Sequence, residues 1–166
     1  MRIFGIVGWK NNGKTGLMER LVAEITQQGF AVSTIKHAHH SFDVDHQGKD
    51  SFRHREAGAH EVLLASRNRW ALMHEVRAEE EPTLAELLEH LSPVDLVLIE
   101  GYKRDDHAKI EAHRTATGQP LIARDDASVM AVASDVPHAG LDQPVFALDD
   151  TAEIAEFILR HVGLKQ

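Results

Sequence analysis

Residues 5–21 read GIVGWKNNGKTGLMERL. Gly8, then four residues, then Gly13, Lys14 and Thr15 make the G-x-x-x-x-G-K-[ST] pattern of a phosphate-binding loop. The chemistry requires these residue types. Glycines let the backbone curl closely around oxygens, successive N–H groups turn inward, and a following helix adds partial positive charge. Lys14 is suited to reach terminal phosphates and Thr15 to offer its hydroxyl to Mg²⁺. Asn11, Asn12 and Gly16 complete the candidate nucleotide-binding set with Gly8, Gly13, Lys14 and Thr15. The competing reading is a glycine turn beside a solvated lysine. The flanking sequence decides between them, because the loop follows an apolar run (RIFGIVG, 2–8) and opens a helical pattern.

That pattern has Leu17, Leu21, Val22 and Ile25 at helical spacing and stops at Gly29. FAVSTIK (30–36) reads as a second strand. Strand, helix and strand in this order form a βαβ unit, and hence a parallel sheet. Residues 37–50 are polar and aperiodic, which predicts a loop. SFRHREAGA (51–59) predicts a short helix. HEVLLAS (60–66) and RWALMHE (69–75) predict a hairpin around Arg67-Asn68. Thr83 is a candidate helix cap with Glu86 as its capping-box partner. VDLVLIE (94–100) is the clearest central-strand signal, and further strands are expected at 109–113, 120–123, 129–133 and 144–148. Asp150 caps a closing helix running to about His161. The alternation predicts a P-loop NTPase-like α/β fold, a mostly parallel doubly wound sheet flanked by helices, with an additional β-hairpin. One domain over 1–166 is expected, with 60–75 as a hairpin insertion.

Bulk properties narrow the functions. The chain has 166 residues, a formal net charge of -8, twelve histidines and no cysteine. An acidic chain lacks the basic footprint of a nucleic-acid binder. Without cysteine there are no disulfides and no thiolate chemistry. No apolar run is long enough to span a membrane, and the N-terminal run reads as a strand and not a signal peptide. A cytoplasmic location is expected.

A P-loop needs an acid on a neighbouring strand to hold Mg²⁺. Glu100 ends VDLVLIE at the carboxyl edge, where ligands bind in open α/β sheets. Asp95 lies at the other end of that strand and is the poorer candidate.

Four segments together resemble the MobB family, the molybdopterin-guanine dinucleotide biosynthesis protein B: GIVGWKNNGKT, STIKHAHHSFDVDHQGKDSFRHREAGA, DLVLIEGYKRDDHAKIEAHR and AVASD. The resemblance implies a P-loop protein that binds GTP with Mg²⁺ and acts as an adaptor in molybdenum cofactor maturation. It implies support for MobA, the molybdopterin guanylyltransferase that joins GMP to molybdopterin, so that molybdopterin or the molybdenum cofactor is a further partner. It also implies a homodimer and slow GTP hydrolysis. Two positions depart from the family pattern. Asn12 stands where a small or hydroxyl residue is common. Gly16 stands where a second threonine is common, and it places a poor helix former in the first turn.

Other constellations remain open. His37, His39, His40, Asp43, Asp45, His46 and Asp50 crowd one polar stretch. The stretch reads as a ligand-facing loop, a solvated loop or a transition-metal site. In the first reading Asp45 or Asp50 binds Mg²⁺ or orients water, making both candidate catalytic residues and Asp45 a candidate metal ligand with Thr15 and Glu100. Lys49 either supports the same anion or is exposed. Lys103, Arg104, Lys109 and Arg114 form a local basic spot, either for phosphates or an acidic partner or simply solvated. Asp135, after AVAS, is a candidate reader of guanine, although the usual Asn-Lys-x-Asp motif is absent. Without it, residues alone do not separate GTP from ATP. The apolar hairpin strands, with Trp70 and Leu72, offer an edge for a second copy. Two alternative functions compete with the adaptor: an ATP-dependent kinase or ligase on a small acidic metabolite, and a metal-delivery GTPase.

Overall fold

The computed structural model describes residues 1–38 and 42–166. In chain order the elements are β1 (Arg2–Val7), α1 (Lys14–Gln27), β2 (Val32–Lys36), α2 (Asp50–Glu56), β3 (Glu61–Ala65), β4 (Trp70–His74), α3 (Leu84–Glu89), β5 (Leu96–Glu100), β6 (Lys109–His113), β7 (Val129–Ser134), β8 (Val145–Ala147) and α4 (Thr151–His161). The chain groups into two compact units, 1–37 with 91–166, and 38–90. The inserted segment is thus 38–90, and it contains the hairpin at 60–75.

The first unit is built on a six-stranded sheet in the order β2-β5-β1-β6-β7-β8, with every neighbouring pair parallel. This is the expected P-loop NTPase-like α/β fold, and the strands extend to both sides of β1. All five residues of β5 are buried. Such a strand must be apolar on both faces, which is why LVLI carries no polar alternation. One face packs Phe4, Ile6, Leu98 and Ile110 against Leu17, Leu21 and Ile25 of α1 and Ile154 and Ile158 of α4. The other face gathers Val7, Leu121, Ala123, Val129 and Val132.

Packing, and not local propensity, holds α1. No side chain caps its N-terminus, and Gly16 in the first turn costs about 1 kcal/mol relative to alanine. Four buried side chains, Leu17, Met18, Leu21 and Ile25, each contribute roughly 1.5–3 kcal/mol. The burial outweighs the glycine. By contrast α4 is capped by the Asp150 carboxylate, which accepts from Glu153 N–H.

Two expectations from sequence are corrected. The strand expected at 120–123 is instead a loop leading into a 3₁₀ turn at Ile122–Arg124. The Glu111 carboxylate takes the N–H groups of Ile122 at 3.0 Å and Ala123 at 2.9 Å, and so removes the donors a ladder would use; Pro120 has none to offer. Burial pushes the Glu111 carboxyl up, against the pull of these two N–H groups and of His113. Nor is Lys109 part of a basic surface. Its side chain is fully buried at the start of β6. The ammonium donates to the Asp105 carbonyl and to Ser128 Oγ at 2.7 Å, and pairs with Asp126 at 3.4 Å.

The second unit carries α2, the antiparallel β3–β4 hairpin and α3. Thr83 and Glu86 form the expected capping box at α3. Arg55 of α2 binds three carboxylates, those of Asp43, Asp45 and Glu75.

Candidate functional site

Gly8 closes β1 and Gly13 precedes α1, with φ of 145° and 90°. A Cβ on Gly8 would lie 2.4 Å from the Ala112 carbonyl oxygen, so only glycine lets β1 and β6 approach this closely. Gly13 is the N-cap of α1, in the left-handed region, and no acidic residue occupies the first turn. No side chain caps the free N–H groups at the positive end of this 14-residue helix.

Lys14 Nζ lies 2.8 Å from the Trp9 carbonyl oxygen, its acceptor. Burial holds its pKa below the usual lysine value; Glu100 opposes that shift, and Lys103 and Lys36 add to it. Glu100 is buried beside Ile6 of β1. Its Oε1 accepts from Thr15 Oγ1 at 3.3 Å and lies 3.5 Å from Lys36 Nζ. Thr15 and Glu100, the two candidate Mg²⁺ ligands of this unit, are thus neighbours. A hydroxyl and a carboxylate are hard oxygen donors suited to Mg²⁺, which usually keeps several waters. Asp95 is spent elsewhere, accepting from Ala31 N–H at the opposite edge.

Asn12 is fully buried. Its Oδ1 accepts from Thr117 Oγ1 at 2.7 Å, while its Nδ2 has no hydrogen-bond partner among the described residues. An unmet buried donor costs about 1–3 kcal/mol, and a phosphate oxygen is the acceptor such a loop lacks. The departure from the family pattern at Asn12 therefore adds a donor to the loop.

The segment after β6 links the loop to Asp135. Thr117 bonds Asn12, and Thr115 donates its N–H and hydroxyl to Asp135 Oδ1 at 3.0 and 2.8 Å. These bonds hold the Asp135 carboxyl below its usual range. A cavity of about 530 Å³ is lined by Trp9, Lys10, Asn11, Arg114, Ala116, Thr117 and Gln119. Trp9 is fixed at both ends: its Nε1 donates to the Pro120 carbonyl at 2.8 Å, and Lys103 Nζ sits 4.2 Å from its ring centroid. Of the proposed basic spot, Lys103 and Arg114 thus lie at the loop. Sequence reasoning passed over Trp9, Lys36 and Thr117. Trp9 stands inside the motif at a position any residue fills, and Thr117 is tied to it only by the fold.

In the inserted unit, Asp45 is buried against Arg55, whose hydrogen bond holds the carboxyl below its usual range. Asp50 is exposed at the start of α2. His39 and His40 lie outside the described residues, so the histidine cluster is traced only in part. His37 follows β2, and its N–H donates to the Glu100 carbonyl at 2.9 Å.

Known proteins are similar to this chain in sequence and in fold. The sequence profile described as molybdopterin guanine dinucleotide synthesis protein B matches residues 3–135. A molybdopterin-guanine dinucleotide biosynthesis adapter protein of Escherichia coli is 39% identical over 95% of this chain and 91% of its own. One from Haemophilus influenzae is 39% identical over 94% of this chain and 86% of its own. The crystal structure of a MobB homologue from Bacillus stearothermophilus superposes with a TM-score of 0.72 at 28% identity, covering 99% of this chain and all of that one. With a matching profile, near full-length relatives and the same fold, the chain belongs to the MobB family.

Proposed function

We propose that this protein is a GTP-binding adapter in molybdopterin-guanine dinucleotide biosynthesis. In this reading it assists the guanylyltransferase MobA, and meets molybdopterin or the molybdenum cofactor through that partner. The observation that carries nucleotide binding is the buried Asn12 Nδ2, without a partner among the described residues, in a glycine loop beside a desolvated Lys14 and a helix N-terminus that no side chain caps. Thr15 and Glu100 would hold Mg²⁺, which supplies charge neutralisation across the phosphates. Asp135 would read guanine, sharing its carboxylate between the base and Thr115; a carboxylate has about four acceptor sites.

Hydrolysis is slow in this reading. Asp45 is a poor base while Arg55 holds it, which leaves Asp50 as the freer carboxylate. The hairpin supports a homodimer. Leu63 and Trp70 are 62% and 68% exposed, and β3–β4 is a two-stranded sheet with no further strand among the described residues.

Isothermal titration of GTP, GDP and ATP, with and without Mg²⁺, tests the proposal. Guanine nucleotides are expected to bind about tenfold or more tightly than ATP, a difference of roughly 1.4 kcal/mol. Mg²⁺ is expected to strengthen GTP binding. Equal or ATP-preferring binding would overturn the guanine assignment of Asp135 and favour a kinase or ligase.

A further inference from the structure

The inserted unit carries a second cluster of ligating groups, made of residues that the nucleotide proposal does not use. His60 immediately precedes β3, His74 ends β4, and Glu79 lies in the turn after it. The hairpin register sets Glu61 opposite His74, and His60, just outside the ladder, turns its ring to that of His74, with centroids 4.6 Å apart. The Glu79 N–H donates to the Val76 carbonyl at 2.8 Å, a turn that brings its carboxylate back to both rings. Glu79 oxygens lie 3.8 Å from His60 Nε2 and 3.6 Å from His74 Nε2. The three ligand atoms all fall within 4.8 Å of one another. Donors bound tetrahedrally to one zinc at about 2.0–2.1 Å stand about 3.4 Å apart, so small side-chain shifts close the set.

The contacts of His74 suit a metal ligand. His74 Nδ1 lies 2.9 Å from Glu61 Oε1. A neutral imidazole that donates from Nδ1 turns a bare lone pair at Nε2 toward the Glu79 carboxylate, which also has only lone pairs to offer. Two lone-pair donors then face one another across 3.6 Å. The Glu61–His74 contact also has the form of the carboxylate–histidine partnership that orients metal-binding imidazoles.

We infer that His60, His74 and Glu79 form a site for a divalent transition-metal ion of the zinc class, with Glu61 positioning His74 and a fourth coordination position open. All three ligands are exposed, so the ion has a direct path in, and the open position faces solvent or a docking molecule. Two imidazoles and one carboxylate suit Zn²⁺ over Mg²⁺, which prefers oxygen throughout. The site is independent of the nucleotide proposal, because no residue is shared.

The test is zinc titration of the full chain in buffer containing Mg²⁺, followed by calorimetry and by metal analysis after dialysis. One equivalent per chain is expected, with a zinc-dependent rise in Tm. His60→Gln, His74→Gln and Glu79→Gln are each expected to weaken binding at least about 100-fold, and Glu61→Gln by about 10-fold. His54→Gln, on the exposed face of α2, is the control expected to change nothing. Metal-free melts of each variant distinguish a lost ligand from a lost fold. Zinc binding unchanged in the ligand variants would overturn the inference, as would binding that disappears when His39 and His40 are replaced. So would the absence of stoichiometric zinc in the wild type.

Discussion

Lys14→Ala is expected to weaken GTP binding by roughly 30- to 1000-fold, about 2–4 kcal/mol. The size follows from where the ammonium sits. It is half-buried, and burial is the largest cause of its lowered pKa, so an incoming phosphate meets a charge already stripped of much of its water. Ion pairs of that kind are stronger than surface pairs, whose median is about 0–1 kcal/mol. The fold is expected to survive. Only one hydrogen bond is lost, from Nζ to the Trp9 carbonyl, for about 1 kcal/mol. Titration of GTP into the variant, beside a melting curve, checks both halves. An affinity equal to wild type would refute the phosphate-loop assignment itself.

The second large effect falls on stability. Gly8→Ala is expected to lower the unfolding free energy by roughly 2–6 kcal/mol, combining backbone strain with overpacking. For a chain of this size that corresponds to a fall in Tm of roughly 5–20 °C. The new methyl meets the Ala112 carbonyl oxygen at 2.4 Å, and Ala112 is itself paired with Ala133 of β7. The oxygen therefore cannot retreat without parting β6 from a neighbour. Gly29→Ala separates the two causes. Gly29 has φ of 92° and no atom within 4 Å of the added Cβ, so only strain of about 1 kcal/mol applies. Thermal melts of the two variants side by side decide the matter. Equal losses would mean that the β1–β6 approach is not the constraint.

The parallel sheet and the glycine loop between β1 and α1 were legible because two local signals agreed. An apolar run led into Gly8, and Leu17, Leu21 and Ile25 repeated at helical spacing. Glu100 was legible for the same reason, since a strand buried on both faces ends where its first carboxylate appears. What the sequence hid were contacts made between distant segments. Lys109 looked like surface because it sits among charged neighbours, yet Ser128 and Asp126, far along the chain, draw it inside. The segment at 120–123 looked like a strand by composition, but Glu111 captured its N–H groups. Thr117 has no local pattern at all, and only the return of the chain after β6 brings it to Asn12. The proposed metal-ligand set on the hairpin escaped because its histidines are fourteen residues apart and meet only once the hairpin has closed.

The sealed position of Lys109 has a practical consequence for watching this molecule open. Its amine has no solvent exposure, so an acylating reagent can tag it only in molecules whose sheet has come apart. Lys109 begins β6, whereas the phosphate loop meets the other end of that strand, near Ala112. A tag at Lys109 therefore reads the opening of the sheet at the end of β6 away from that loop. Mass spectrometry of this one peptide, sampled over time, would give the opening rate of the sheet's centre, while the exposed Lys10 and Lys36 label at once and serve as internal clocks.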